Sequence, residues 1–188
     1  MVDEIVHNNE PFTLVRSRER DVDLLIHDAR SDPSTFARII RGHRSVTLKS
    51  FMQEAAAAFQ FPYYFGENWS AYDDCINDAS WLLNHFDSPP LEKIVIAITN
   101  VNEFLRDEEP DQLQTFYHFM ERARQEWRSG NNDISVRTKR VSNGRKVNFT
   151  TILHLEPNTN TPDSIDRLLT DGRLKQINIR PLDSPKRA

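Results

Sequence analysis

Apolar positions along the chain follow two periods. Phe36-Ala-Arg-Ile-Ile40 is short and β-rich, is closed by Gly42, and predicts a strand. Leu91 to Thr99, centred on Ile94-Val-Ile-Ala-Ile98, is a continuous apolar run. Its length and β-branching predict a strand buried on both faces, as in a parallel sheet. Between these strands, Phe51 to Phe59 is alanine-rich and helical. Ser50 and Gln53 form its capping pattern and Pro62 ends it. A second helix opens at Asn68, with Tyr72, Cys75, Ile76, Ala79, Leu82, Leu83 and Phe86 on its inner side. Ser70, Asp74 and Asp78, four apart on another side, are expected at the surface. Pro110 opens a third helix, whose inner stripe is Leu113, Phe116, Met120, Ala123 and Trp127; Gly130 is its expected C-cap.

The flanks are less regular. Phe12–Val15 and Asp23–Ile26 are short apolar runs around a charged turn, which fits either a hairpin or a strand–helix pair. Asn143-Gly144 is a strong hairpin signal. Pairing around it puts Ile134 and Val136 on one face with Val147, Phe149 and Leu153, and Arg137, Lys139 and Lys146 on the other. Asp163 to Thr170 predicts a short helix stopped by Gly172, Leu174 to Ile179 a last strand, and the tail from Pro181 a loose end. Helices interleaved with buried strands indicate an α/β fold with a largely parallel sheet, an added hairpin and terminal extensions. The expected organisation is an extension over residues 1–34 packed on a domain at 35–155, then a C-terminal extension over 156–188.

Composition narrows the function. The 188 residues include one cysteine, Cys75, which excludes an internal disulfide and a thiolate zinc site. With only 5 glycines, phosphate-cradling loops are not expected. Met1 to Glu10 is polar and acidic, unlike a secretory signal, and no window is apolar enough to span a bilayer; a cytoplasmic location is the simple expectation. Charge is unevenly spread. Residues 50–111 carry two bases, Lys93 and Arg106, against twelve acids, a balance of −10, while the remainder carries 22 bases and 16 acids, a balance of +6. Such a block is either a solvated acidic face or a docking face for a basic partner.

Catalytic patterns are missing: no nucleophile elbow, no Walker loop, no dinucleotide fingerprint and no zinc-protease helix. The six histidines are scattered, Cys75 falls on an inner helix side, and Asp73 and Asp74 diverge by about 100° on a helix. No enzyme activity, cofactor or metal is expected. The informative stretch is Pro62-Tyr-Tyr-Phe-Gly-Glu-Asn-Trp-Ser-Ala-Tyr-Asp-Asp-Cys-Ile76. Tyr63, Tyr64 and Phe65 cannot all point inward from one short turn, and exposed aromatics beside acids make interface anchors.

Pro62, Tyr64, Gly66, Glu67, Asn68, Ala71, Asp74 and Cys75, in register, resemble the signature of the barstar family, inhibitors of the ribonuclease barnase. The resemblance extends loosely over residues 35–155. It implies a short parallel sheet backed by helices, and an acidic helix and loop that plug a ribonuclease active site. By that resemblance Tyr64, Gly66, Asn68 and Asp74 fall on the inhibitory segment, and Glu121 on the last helix falls approximately at a second acidic contact; Tyr63, Ser70, Asp73 and Asp78, on the same loop and helix, complete the expected partner-binding set. The implied partner is a basic nuclease toxin, inhibited in the manner of an immunity protein. A regulatory interaction module without a toxin is the alternative. Ser70 stands where the family has another acid, Asp73 where it has an aromatic, and the chain is about twice the usual length, so the toxin need not be of the barnase type. The five bases of the hairpin, Arg137, Lys139, Arg140, Arg145 and Lys146, suit a solvated sheet edge that discourages aggregation, and no nucleic-acid or membrane partner is expected. A monomer is the simplest expectation.

Overall fold

The computed structural model describes residues 10–77, 91–130 and 146–178. In chain order the elements are β1 (Phe12–Arg16), α1 (Glu19–Ser31), β2 (Thr35–Arg41), a 3-10 turn (Gly42–Arg44), α2 (Leu48–Phe59), α3 (Trp69–Asn77), β3 (Lys93–Thr99), α4 (Pro110–Ser129), β4 (Asn148–Leu155), α5 (Asp163–Thr170) and β5 (Leu174–Asn178). The five strands form one sheet in the order β2-β3-β4-β1-β5, and every pairing is parallel. This is the α/β class that the alternation of strands and helices predicts.

Connection handedness explains where the helices lie. From β2 to β3, β4 and β5 the chain steps one way across the sheet; from β1 to β2 it steps the other way. Right-handed crossovers then place α1 alone on one face and α2 to α5 on the other. Strand alternation serves both layers. Phe36, Ile40, Ile94, Ile96, Ile98, Phe149 and Leu153 meet the buried stripes of α2 to α5. Ala37, Val95, Ala97, Ile152 and Val15 meet Val22, Leu25, Ile26 and Ala29 of α1. The short run at Phe12–Val15 is therefore a strand and Asp23–Ile26 part of a helix. The terminal segments supply β1, α1, α5 and β5 to the same continuous sheet and its layers.

The hairpin expectation is corrected. Its second arm is β4, which lies between β3 and β1 and pairs with both in parallel: Lys93↔Asn148 through Ile98↔Leu153, and Phe12↔Thr151 through Arg16↔Leu155. Only Asn148 of this strand is not fully buried, so it has no solvated face. The turn signal at Asn143-Gly144 is local, whereas two apolar parallel neighbours are a tertiary choice. Ile134, Val136, Arg137, Lys139 and the turn itself lie outside the described residues.

The α2 cap is also shifted. Thr47, not Ser50, is the N-cap: Ser50 N–H donates to Thr47 Oγ1 (3.2 Å) and Thr47 N–H to Ser50 Oγ (3.0 Å). Glu108 accepts from Leu48 N–H at 2.7 Å, which lets the helix begin earlier than its alanine-rich core. Gly130 ends α4 at φ 75°, as expected of a C-cap glycine.

Candidate functional site

The segment between α2 and α3 is held by aromatics that alternate inward and outward. Gln60 caps α2 in the left-handed region (φ 59°) and turns the chain. Phe61 packs on Phe59 (5.2 Å between centroids) and Phe65 packs on Phe61 (5.0 Å). With those two rings inward, Tyr63 and Tyr64 stand in solvent, 101% and 69% exposed, edge to face at 5.5 Å. A short turn with two anchored phenylalanines has no room for the tyrosines.

Asn68 organises the next step. Its Oδ1 accepts from Ala71 N–H (3.0 Å), capping α3, and its Nδ2 donates to the Gly66 carbonyl (2.9 Å). A Cβ on Gly66 would lie 2.9 Å from that Nδ2, so glycine keeps the cap and the loop together. Asn68 thus shapes the loop with both ends of its amide. Glu67, exposed between them at φ 48°, receives a 3.4 Å hydrogen bond from Gln53 of α2.

On α3, Ser70 and Asp74 are exposed and Tyr72 and Ile76 buried, as the spacing predicts; Cys75 is half-buried. Asp74 makes no hydrogen bond or ion pair among the described residues. Asp73 has a different environment. It accepts from Arg122 Nη1 of α4 at 2.8 Å and from Asn77 Nδ2 at 3.0 Å, with its side chain 14% exposed. Burial raises its pKa, against the opposing pull of Arg122. Glu121 is held by two N–H groups of Arg173 (2.6 and 2.7 Å). It projects toward the α5–β5 side of α4, whereas Phe119 and Arg122 face α3. The structure therefore groups Tyr63, Tyr64, Gly66, Asn68, Ser70 and Asp74, engages Asp73 internally, and sets Glu121 apart. Asp78 lies outside the described residues.

Sequence reasoning overlooked the clamp behind this face. The Trp69 indole N–H donates to Gln112 Oε1 (2.8 Å), and its ring stacks on Phe119 (5.5 Å, 21° between planes). Tyr72 donates to Met120 Sδ (3.3 Å), and the Trp127 indole donates to the Ile76 carbonyl (3.0 Å). Burial drives the Tyr72 pKa upward. Trp69, Tyr72 and Ile76 are spaced i, i+3, i+7, the one signal that would have found it. Among the described residues no group of three His, Cys, Asp or Glu side chains is placed to hold a metal, and no helix is long and apolar enough to cross a membrane.

This arrangement, exposed aromatics and a carboxylate without an ion pair among the described residues on a loop and helix clamped to an α/β body, has the layout of a protein-binding scaffold. The family model for Barstar (barnase inhibitor) matches residues 35–139, more than half of the chain, and the chain belongs to the barstar family. The matched range contains the whole loop and α3. No curated protein matches the chain in sequence. A chain in the structure of Drosophila ORC bound to GC-rich DNA and Cdc6 superposes at a TM-score of 0.48 with 10% identity, over 98% of this chain and 27% of that one. The present chain thus spans about a quarter of that chain's length, and no functional reading follows from the likeness.

Proposed function

We propose that this protein binds a basic nuclease toxin and blocks its active site, using loop 62–68 and the exposed side of α3. The observation that carries the reading is the pair Tyr63 and Tyr64, fully to largely exposed within the segment matched by the inhibitor family, which also holds the exposed Asp74, without an ion pair among the described residues. Water-exposed tyrosines on an anchored loop are costly to leave idle and effective when buried by a partner. Asp74 meets a cation of the toxin, the tyrosines fill the rim of its cleft, and Gly66 and Asn68 hold the loop in shape. Ser70 lines the same surface without charge. The partner acts in the compartment where this chain resides, which we take to be the cytoplasm.

The test is a titration of the purified chain against a barnase-type ribonuclease and against nucleases encoded beside its own gene, following RNA or DNA cleavage. Activity of one of them should fall to baseline at one equivalent, with a complex on gel filtration. If none is inhibited and none forms a complex, the reading is wrong.

A further inference from the structure

Among the described residues β2 is an edge strand, and its outer side opens into a groove of about 360 Å³ between α1 and α2. Much of that edge is already used. Arg30 and Arg38 both donate to the Ala37 carbonyl (2.9 and 2.8 Å), and Arg41 N–H points to Glu54 (3.4 Å). Ala37 and Arg41 therefore turn their backbone groups outward. Ile39, of the same parity, does so too, and its N–H and C=O have no partner among the described residues.

The floor of the groove is apolar, made by Ile39, Ala57 and Ala58; its walls are charged. Arg41 and Glu54 form a two-pronged pair (2.6 and 2.9 Å) and neutralise each other. Glu19 is pinned by Thr99 Oγ1 (2.9 Å) and Asn100 Nδ2 (3.0 Å), so its carboxylate is fixed at the groove wall; it has no ion pair among the described residues, and the Arg41 charge reaches it only at longer range. Asp23 is exposed one turn further along α1 and has no ion pair among the described residues. The groove lining thus sets three carboxylates, Glu19, Asp23 and Glu54, against the single guanidinium of Arg41, with an open carbonyl above an apolar floor. No group of three potential metal ligands gathers among the described residues, which argues against a bare metal ion.

We propose that this groove receives an arginine side chain from a partner protein. The chemistry matches at both ends. The methylene stem covers Ile39, Ala57 and Ala58, and the guanidinium meets Asp23, Glu19 and the Ile39 carbonyl, all acceptors. Its planar fork suits a carboxylate better than an ammonium does. Gln53, next to Glu54 on α2, reaches Glu67, but no residue lining the groove belongs to the tyrosine loop or to α3. The inference stands apart from the nuclease reading, because it concerns a different surface and is tested without any nuclease.

The experiment uses the full-length, isotope-labelled chain and three blocked tripeptides, Ala-Arg-Ala, Ala-Lys-Ala and Ala-Gln-Ala, followed by amide chemical shifts. Ala-Arg-Ala should move Ile39, Ala57 and Ala58, with Ala-Lys-Ala weaker and Ala-Gln-Ala without effect. Asp23→Asn, at an exposed site, should keep its melting temperature and lose about tenfold in affinity for Ala-Arg-Ala, the scale of one charge-assisted contact. Absent shifts, equal shifts with Ala-Gln-Ala, shifts centred on 63–74, or unchanged affinity in Asp23→Asn would each overturn the proposal. Failure of the nuclease titration leaves this result untouched.

Discussion

Single residues divide sharply between holding the fold and facing outward. Gly42 holds. A Cβ there would lie 2.4 Å from the carbonyl oxygens of both Thr99 and Asn100, which are backbone and cannot swing aside. Gly42→Ala should cost about 1–3 kcal/mol, the range of an overpacked interior, read as an earlier midpoint in urea. Asp74 faces outward. Asp74→Ala should change stability by less than about 1 kcal/mol in the same measurement. Its loss should weaken toxin binding by about 2–5 kcal/mol, mostly as faster dissociation in surface plasmon resonance, because the toxin's cation is left buried and unpaired. An Asp74→Ala variant that binds like the parent would remove α3 from the docking surface. The exposure of Asp74 and Ser70 and the burial of Tyr72 were legible from helical spacing alone. The engagement of Asp73 with Arg122 and of Glu121 with Arg173 was not, because a contact across 49 or 52 residues leaves no periodic trace.

Elements were legible where the signal was local. The apolar run of β3, Pro110 at the start of α4 and Asn68 at the start of α3 all lie where period and capping chemistry put them. The Asn143-Gly144 signal misled because β4 looks half-polar, with Asn148, Thr150, Thr151 and His154. Yet the two threonines and the histidine are buried. His154 alone uses both ring nitrogens, toward Asn100 N–H (3.2 Å) and the Ser17 carbonyl (2.9 Å), so a polar residue fills a core position. The turn between α1 and β2 carries the clearest titration. Asp32 accepts from Ser34 N–H and Oγ, from Thr35 Oγ1 and from Lys93 Nζ, and these bonds, Ser34 first, lower its pKa to about 2. A carboxyl depressed in the folded state stabilises the fold above its ordinary pKa, 3.8, and that contribution fades as pH falls toward 2. Asp32→Asn should therefore lower the melting temperature at pH 7 and narrow the gap to the parent between pH 4 and pH 2. A gap that stays constant over that window would show that the Asp32 charge does not anchor the turn. With its side chain 39% exposed, the effect should be small.

At the scale of the molecule, residues 50–111 carry a balance of −10 along the sequence, and of their acids Glu67, Asp73 and Asp74 lie on the loop and α3, with Glu109 and Asp111 at the start of α4. Association with a basic toxin should slow as salt rises from low ionic strength, since the field is screened over about 8 Å at physiological ionic strength. Stopped-flow rates that stay flat across that range would mean the acids are solvated surface only. The wholly parallel sheet has another consequence, in time rather than in space. β1 is made first, but its neighbours are β4 and β5, and Arg16 pairs with Leu155 and Asn178. On the ribosome the first strand waits while about 139 residues are added, roughly 7–28 s at ordinary elongation rates. Until then Phe12, Leu14 and Val15, all buried in the finished protein, have no strand to lie against. The sheet therefore closes only once β4 has been made, and a chain cut short before β4 leaves its first strand as a bare, adhesive edge.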